Sequence, residues 1–508
     1  MKKLLSLVLA IMMLLTVVSA SAELDTSEQV EIIVYMMGDK PQDCDMVMEK
    51  VNEILLEKLN CTMSMKFVGW ADWATAYNLL LTGGDPIDLI YSASWASDSD
   101  YARKGAFMDL TDLVEEYAPE LWDMFPIEVW DYATITTDHG DMLYCIPTAF
   151  DNFSSTGIFY RADLCEKYNI PAPTSIENAT AYQQGIKDNC PEMIPNMDGG
   201  TRSYEIMSLD RFYLDYNVDT GIMIGATDDP AVAPSWTNVE RYVARDNEAF
   251  LNELRVAKDW ADKGFWDRNL AANPIDSVGD YFNQGSVAMS YQGQNVDKWA
   301  GCMGTVKETH PDWKVGFIPY GMNFGYVFKS SPIQDATAVP ITARYPERAL
   351  AVVQEIYTNP ELLHLISYGI EGVHYTLDEV GNYTALEGAA NFGTYAMNTW
   401  AWKNSDLLLE GVRTEDNAAY YDMKDAMGEQ KMILASGFTF DTTPVETELA
   451  AVGQVFTQYL TPLRYGLTND LEADVAAFFD AAEAAGLLTV QDEYIRQYTE
   501  FCEENGIK

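Results

Sequence analysis

Residues 85–95 read DPIDLIYSASW, a stretch that turns at Asp85-Pro86, runs as a short apolar strand and ends in small, polar and aromatic residues. A run this short and this apolar, bounded by turn residues, is the signature of a strand buried on both faces. The chain before it alternates element types. Trp73 to Leu81 has helical spacing and stops at Gly83-Gly84, and Cys61 to Val68 (CTMSMKFV) alternates as a strand. Further back, Asp43 to Leu59 places Val47, Val51, Ile54 and Leu55 on one helical face, and Gln29 to Tyr35 is another strand. Strands alternating with helices predict a layered α/β fold with a mostly parallel sheet.

The pattern changes downstream. Met142 to Pro147 and Gly157 to Tyr160 read as two short strands around an aromatic and polar loop, Ala149 to Thr156. Phe250 to Gly264 is an amphipathic helix with a glycine stop. Further strands are expected at Val287 to Ser290, Val315 to Pro319 and Ala336 to Ile341, with a helix at Tyr345 to Tyr357. The last third is helical: Ala418 to Leu434, Thr447 to Tyr459, Leu471 to Ala485 and Gln491 to Cys502. Strand signals in two clusters, with helices between and after them, predict two α/β lobes whose chain crosses more than once.

Composition narrows the function. The 508 residues carry 32 Lys+Arg against 78 Asp+Glu, a formal net charge of -46. Nucleic-acid binding is excluded on that balance, because affinity for phosphate backbones comes from cation neutralisation. Hydrophobic residues make up 48% and aromatics 12%, enough for a large core, so the acidity does not mean disorder. Lys2 and Lys3, the apolar stretch Leu4 to Val18 and Ala20-Ser21-Ala22 read as a cleavable export signal over 1–22. No cysteine follows the apolar stretch, so no lipid anchor is expected there. The seven cysteines are scattered with no CxxC spacing, which fits neither a disulfide scaffold nor a zinc site.

The order of motifs resembles an extracellular solute-binding protein of an ABC importer, of the large family 1 type that includes sugar and oligosaccharide binders. The residues that carry the resemblance are DPIDLIYSASWASDSDYARKGAFMDLTDLVEEYAPELW (85–122), MLYCIPTAFDNFSSTGIFYRADLCEKYNIPAPTS (142–175) and YFNQGSVAMSYQGQN (281–295). ISYGIEGVHYTLDEVGNY (366–383), GFTFDTTPVETELAAV (437–452) and FFDAAEAAGLLTVQDEYIRQYTEF (478–501) are similar to a lipoprotein LipO-like subgroup with a C-terminal domain of unknown function, DUF3502. The resemblance covers nearly the whole chain after residue 22. It implies a two-lobed periplasmic-binding-protein-like fold of type II, each lobe a mostly parallel sheet with flanking helices, and a long helical C-terminal part. The expected partition is 23–149 with 311–345 in the N-terminal lobe, and 150–310 with 346–508 in the C-terminal lobe. The expected crossings lie near Thr148–Asp151, His310–Lys314 and Arg344–Pro346.

Strand ends in such folds open onto ligand sites, so the loops after strands hold the candidate contacts. These are Tyr91, Ser94 and Trp95 after the buried strand, Asp151 and Asn152 at the first crossing, and Tyr291 and Gln292 after Val287 to Ser290. Trp70 (with Trp73 beside it), Trp236, Trp400 and Trp402 complete the set. Trp400 and Trp402 would face the same way in a strand and diverge in a helix. Aromatic rings stack on the C–H faces of pyranoses, while amides and carboxylates pair with sugar hydroxyls, and rings with few rotatable bonds lose little entropy on binding.

Signals for catalysis are weak. The four histidines show no HxH or HExxH spacing, and no G-x-S-x-G elbow, P-loop or dinucleotide fingerprint occurs. No cofactor and no metal are expected. The reading is a monomeric, exported, non-enzymatic binding protein that closes like a hinge on a carbohydrate, above all an oligosaccharide, and hands it to permease subunits. A secreted glycoside hydrolase and a peptide-binding member of the same transport class are the alternatives.

Overall fold

A computed structural model describes residues 24–69, 73–196, 202–266, 282, 284–398, 400–411 and 413–507. The expected export signal therefore lies outside the described residues. The chain divides into two compact units, one of residues 1–151 and 331–412, the other of 152–330 and 413–508. The polypeptide passes between them at Asp151/Asn152, Ser330/Ser331 and Val412/Arg413.

This partition moves the first boundary by two residues and differs from the expected one more widely in two segments. Residues 311–330 belong to the second unit, because the strand Val315–Pro319 pairs with Thr156–Arg161. Residues 346–412 belong to the first unit, because the helix Pro346–Thr358 buries Leu350, Val352, Val353 and Ile356 in the first unit's core. The last two crossings thus fall after residues 330 and 412, not near His310–Lys314 and Arg344–Pro346.

In the first unit a four-stranded sheet runs in the order Ala336–Ala338, Leu89–Ser92, Val30–Met37, Cys61–Val68. Val30–Met37 pairs in parallel with both neighbours, Cys61–Val68 and Leu89–Ser92. Ala336–Ala338 is antiparallel, with Ala336 opposite Ser92. The helix Cys44–Leu59 buries Val47, Val51 and Leu55 and ends at Asn60, whose left-handed φ of 46° is tolerated by asparagine. Asp88, fully buried, ties the layers together. Its carboxylate accepts the Ile33 and Arg344 backbone N–H groups, each at 2.8 Å, and a guanidinium N–H of Arg344 at 3.1 Å. These bonds repay the desolvation that a buried carboxylate otherwise costs.

The second unit holds a sheet in the order Val315–Pro319, Thr156–Arg161, Val287–Asn295, Ile194–Asn196. The first two pairings are antiparallel and the third is parallel, so this sheet is mixed where a mostly parallel one was expected. Gly157 permits the close approach of Val315–Pro319, since a Cβ there would lie 2.2 Å from the Ile318 carbonyl oxygen. The helices Glu446–Val455, Leu471–Ala484 and Leu487–Glu504 form a separate core with Glu248–Asp262, built on Phe250, Leu254, Phe478 and Phe479. A buried Glu253–Arg464 ion pair at 2.8 Å joins the C-terminal segment to that helix, and Ser203 and Tyr242 donate to the same carboxylate.

Candidate functional site

Strand direction locates the site in the first unit. The parallel strands Val30–Met37, Cys61–Val68 and Leu89–Ser92 all end on one edge of the sheet, and residues just before the antiparallel Ala336–Ala338 reach that same edge. This carboxyl edge is where α/β folds place ligands.

Two tryptophans meet there. Trp73 opens the helix Trp73–Thr82 after the second strand, and Trp95 sits in the single 3-10 turn Ser94–Ala96 after the third. Their ring centroids lie 5.4 Å apart at 73°, an edge-to-face contact. Trp95 is 43% exposed despite its size. The turn is fixed from below: the Ser94 N–H donates to the Ile333 carbonyl at 3.0 Å, and Ala96 is buried. Ser94 itself is exposed.

Tyr91 does not share that exposure. It is 1% exposed and its hydroxyl donates to Asp335, so it supports the turn from the core and presents no stacking face. Behind the turn, buried Asp98 accepts the Ser92 hydroxyl at 2.9 Å and the Ser99 N–H at 2.8 Å. Burial pushes its carboxyl up to about 6, against the opposing pull of those hydrogen bonds.

Asp335 is the residue at this edge that sequence reading missed. It is 7% exposed and accepts from the Tyr91 hydroxyl and, at 3.5 Å, from the Trp95 indole N–H. Burial raises its pKa, while these donors and the charge of Lys403 pull it down. Lys403, also buried, sets its ammonium 3.7 Å from the Tyr395 ring centroid and 4.5 Å from that of Phe150. The only sequence signal for Asp335 is its place just before a strand. Which end of the sheet that strand start reaches depends on its antiparallel pairing, which the local pattern does not encode.

The remaining predicted residues divide sharply. Trp400 is 38% exposed, whereas Trp402, in a turn with φ 50°, is fully buried, so the two diverge and cannot line one site together. Asp151 is exposed, and its N–H donates to the Ser405 hydroxyl at 2.8 Å. Asn152 is committed to structure. Its amide nitrogen donates to Asp297, its side-chain oxygen accepts the Phe153 N–H at 2.8 Å, and its carbonyl accepts the Ser330 N–H at 2.9 Å. Tyr291 is 1% exposed in the second unit's core, because the strand expected to stop at Ser290 continues to Asn295. Gln292 lies within that strand, and its side chain, like Trp70, falls outside the described residues. Trp236 is partly buried, and its carbonyl accepts the Tyr498 hydroxyl at 2.9 Å.

Beside the ring pair, a cavity of about 340 Å³ is lined by Asn78, Thr82, Ser97, Tyr101 and Ile341 among others. Neither tryptophan ring lines it. Among the described residues no group of three His, Cys, Asp or Glu is placed to hold a metal. All seven cysteines are free thiols.

Two compact units, a mostly parallel sheet with an aromatic carboxyl edge, and three crossings define the architecture of a solute-binding protein. The chain belongs to the bacterial extracellular solute-binding protein family, whose model matches residues 47–361, and residues 434–503 match the domain of unknown function DUF3502. It is similar to a carbohydrate ABC transporter substrate-binding protein of Streptococcus pneumoniae serotype 4, at 23% identity over 494 residues, covering 94% of this chain and 92% of that protein. Its fold is similar to the crystal structure of the N-glycan transport solute binding protein NgtS from Streptococcus pneumoniae, with a TM-score of 0.73, 21% identity and coverage of 94% and 99%. The alginate-binding protein AlgQ2 is also similar, with a TM-score of 0.64, 16% identity and coverage of 94% and 100%.

Proposed function

We propose that this protein captures an oligosaccharide and delivers it to the permease subunits of an ABC importer. The observation that carries the reading is the exposed Trp95 ring, braced edge-on by Trp73 at the carboxyl edge of a mostly parallel sheet. A large apolar ring held rigid in water costs free energy unless it has a partner, and the C–H face of a pyranose is a partner of matching shape. Ser94, Asp151 and Trp400, exposed in the same unit, are the proposed neighbouring contacts. Support comes also from relatives: NgtS has been crystallised with Man1GlcNAc and with Man5GlcNAc.

The proposed action is binding without turnover, by a monomer exported through removal of residues 1–22. The three crossings are the segments that would absorb a hinge motion, and ligand would bias the closed population that a permease recognises. The test is thermal unfolding of the pure protein with panels of mannose- and GlcNAc-containing oligosaccharides, alginate oligosaccharides and peptides, with product analysis of each mixture. A ligand at 100 times its Kd stabilises by about 2.7 kcal/mol through mass action, so a neutral oligosaccharide should raise the midpoint and remain uncleaved. Cleavage products would instead establish a glycoside hydrolase, and stabilisation by peptides alone would establish a peptide binder.

A further inference from the structure

We infer that Asp335 is the positioning residue for Trp95: its buried carboxylate holds the indole in the orientation that stacks on ligand. The inference rests on the sugar-binding reading above and adds to it the group that pre-organises the contact.

Three observations converge. First, Trp95 lies on a turn of only three residues, and the Trp73 ring meets it edge-on from one side. A half-exposed indole on such a turn would otherwise sample several rotamers and lose that freedom on binding. Second, its N–H points to the Asp335 carboxylate, and the same oxygen accepts the Tyr91 hydroxyl. Tyr91 is itself immobilised in the core, so the carboxylate transmits a fixed position from the core to the surface ring. Third, Asp335 is an expensive residue to place there. A carboxylate that is 7% exposed needs compensation, which the two donors and the nearby Lys403 charge supply. Lys403 in turn is held over the Phe150 and Tyr395 rings. Buried Tyr91, Asp335 and Lys403, with the half-buried Phe150 and Tyr395 rings beneath the ammonium, thus form one connected support for the Trp95 ring. Fixing a ring before binding removes part of the ordering cost, which is the general route by which pre-organisation raises affinity.

The test combines a double-mutant cycle with a probe that needs no sugar. Protein labelled with 5-fluorotryptophan gives a resonance assignable to Trp95 from the spectrum of Trp95→Phe. In ligand-free protein, Asp335→Ala should shift or broaden that resonance and leave most others in place. With a bound mannose–GlcNAc oligosaccharide, Asp335→Ala should weaken affinity about tenfold, but by less than about twofold in a Trp95→Ala background, because its effect runs through the ring. If Asp335→Ala does not fold, Asp335→Asn carries the same cycle, with a smaller loss expected from weakening a charge-assisted bond. An unchanged Trp95 resonance, or an equal loss of affinity in both backgrounds, would overturn the inference. Failure of the wild type to bind any sugar would overturn the functional reading, while the fluorine spectrum would still decide whether Asp335 positions the ring.

Discussion

Trp95 and Tyr291 were both expected at the end of a buried strand, facing ligand, and the fold treats them oppositely. The strand Leu89–Ser92 stops where predicted, and its chain leaves through a 3-10 turn that lifts Trp95 into solvent. The strand Val287–Asn295 runs on past Ser290, so Tyr291 remains inside the sheet and packs into the core. The residues next in the chain after each apolar run make the difference. After Ser92 come Ala93 and Ser94, with the Ser94 N–H captured by Ile333, and the ladder ends. After Ser290 the pairing with Thr156–Arg161 resumes beyond an irregularity, with Gln294 opposite Gly157 and Asn295 opposite Thr156. Here the aromatic residue after a buried strand stays exposed where the strand ends before it and is buried where the strand runs on.

The largest expected effect comes from Tyr291→Ala, which should destabilise the protein by about 3–5 kcal/mol, as for other large aromatic core truncations. Denaturant unfolding measures it, and a loss under about 1 kcal/mol would mean that Tyr291 is not a core residue.

Next is the pH dependence of the support beneath Trp95. The buried Asp98 carboxyl is raised from 3.8 to about 6, so between those values the folded state holds more protons than the unfolded one. Stability from this group is therefore present at low pH and is lost as pH rises through about 6. Across that window the wild type should gain on acidification relative to Asp98→Asn, which has no proton to bind there. Unfolding midpoints of both proteins at pH 4 to 7 check the sign, and identical profiles would remove Asp98 from the balance.

Trp95→Ala should leave the unfolding midpoint nearly unchanged and weaken oligosaccharide binding by about 2 kcal/mol, the scale of an aromatic hot spot. Titration calorimetry reads the affinity. The smallest effect is expected for Trp73→Phe, which keeps an edge contact but shortens the brace, at about 0.5–1 kcal/mol of affinity.

Much of the first unit was legible because its signals are local. Cys61–Val68 and Val315–Pro319 fall where the alternation and the apolar run placed them, the latter in the second unit, and the helix Cys44–Leu59 differs from its expected start by one residue. Strand direction in the second sheet was not legible, since parallel and antiparallel strands buried on both faces share one pattern. The partition failed at residues 311–330 and 346–412 for a related reason: an apolar helix face or strand does not say which core it covers. In the candidate site, Trp95 was readable from a polar, small-residue context. Asp335 was not, because an antiparallel pairing brings it there from 240 residues away. Ala418–Gly428 ends short of the helix expected to reach Leu434, since Lys431–Ile433 pairs as a strand with Tyr326–Phe328.

The most direct test of the central claim is calorimetric titration of wild type and Trp95→Ala with a mannose–GlcNAc oligosaccharide, alongside chromatography of the same mixtures. Saturable binding by the wild type, weakened at least about tenfold in the variant and with the sugar recovered intact, is the predicted result. Equal affinity in both proteins, or a shortened sugar after incubation, would contradict it.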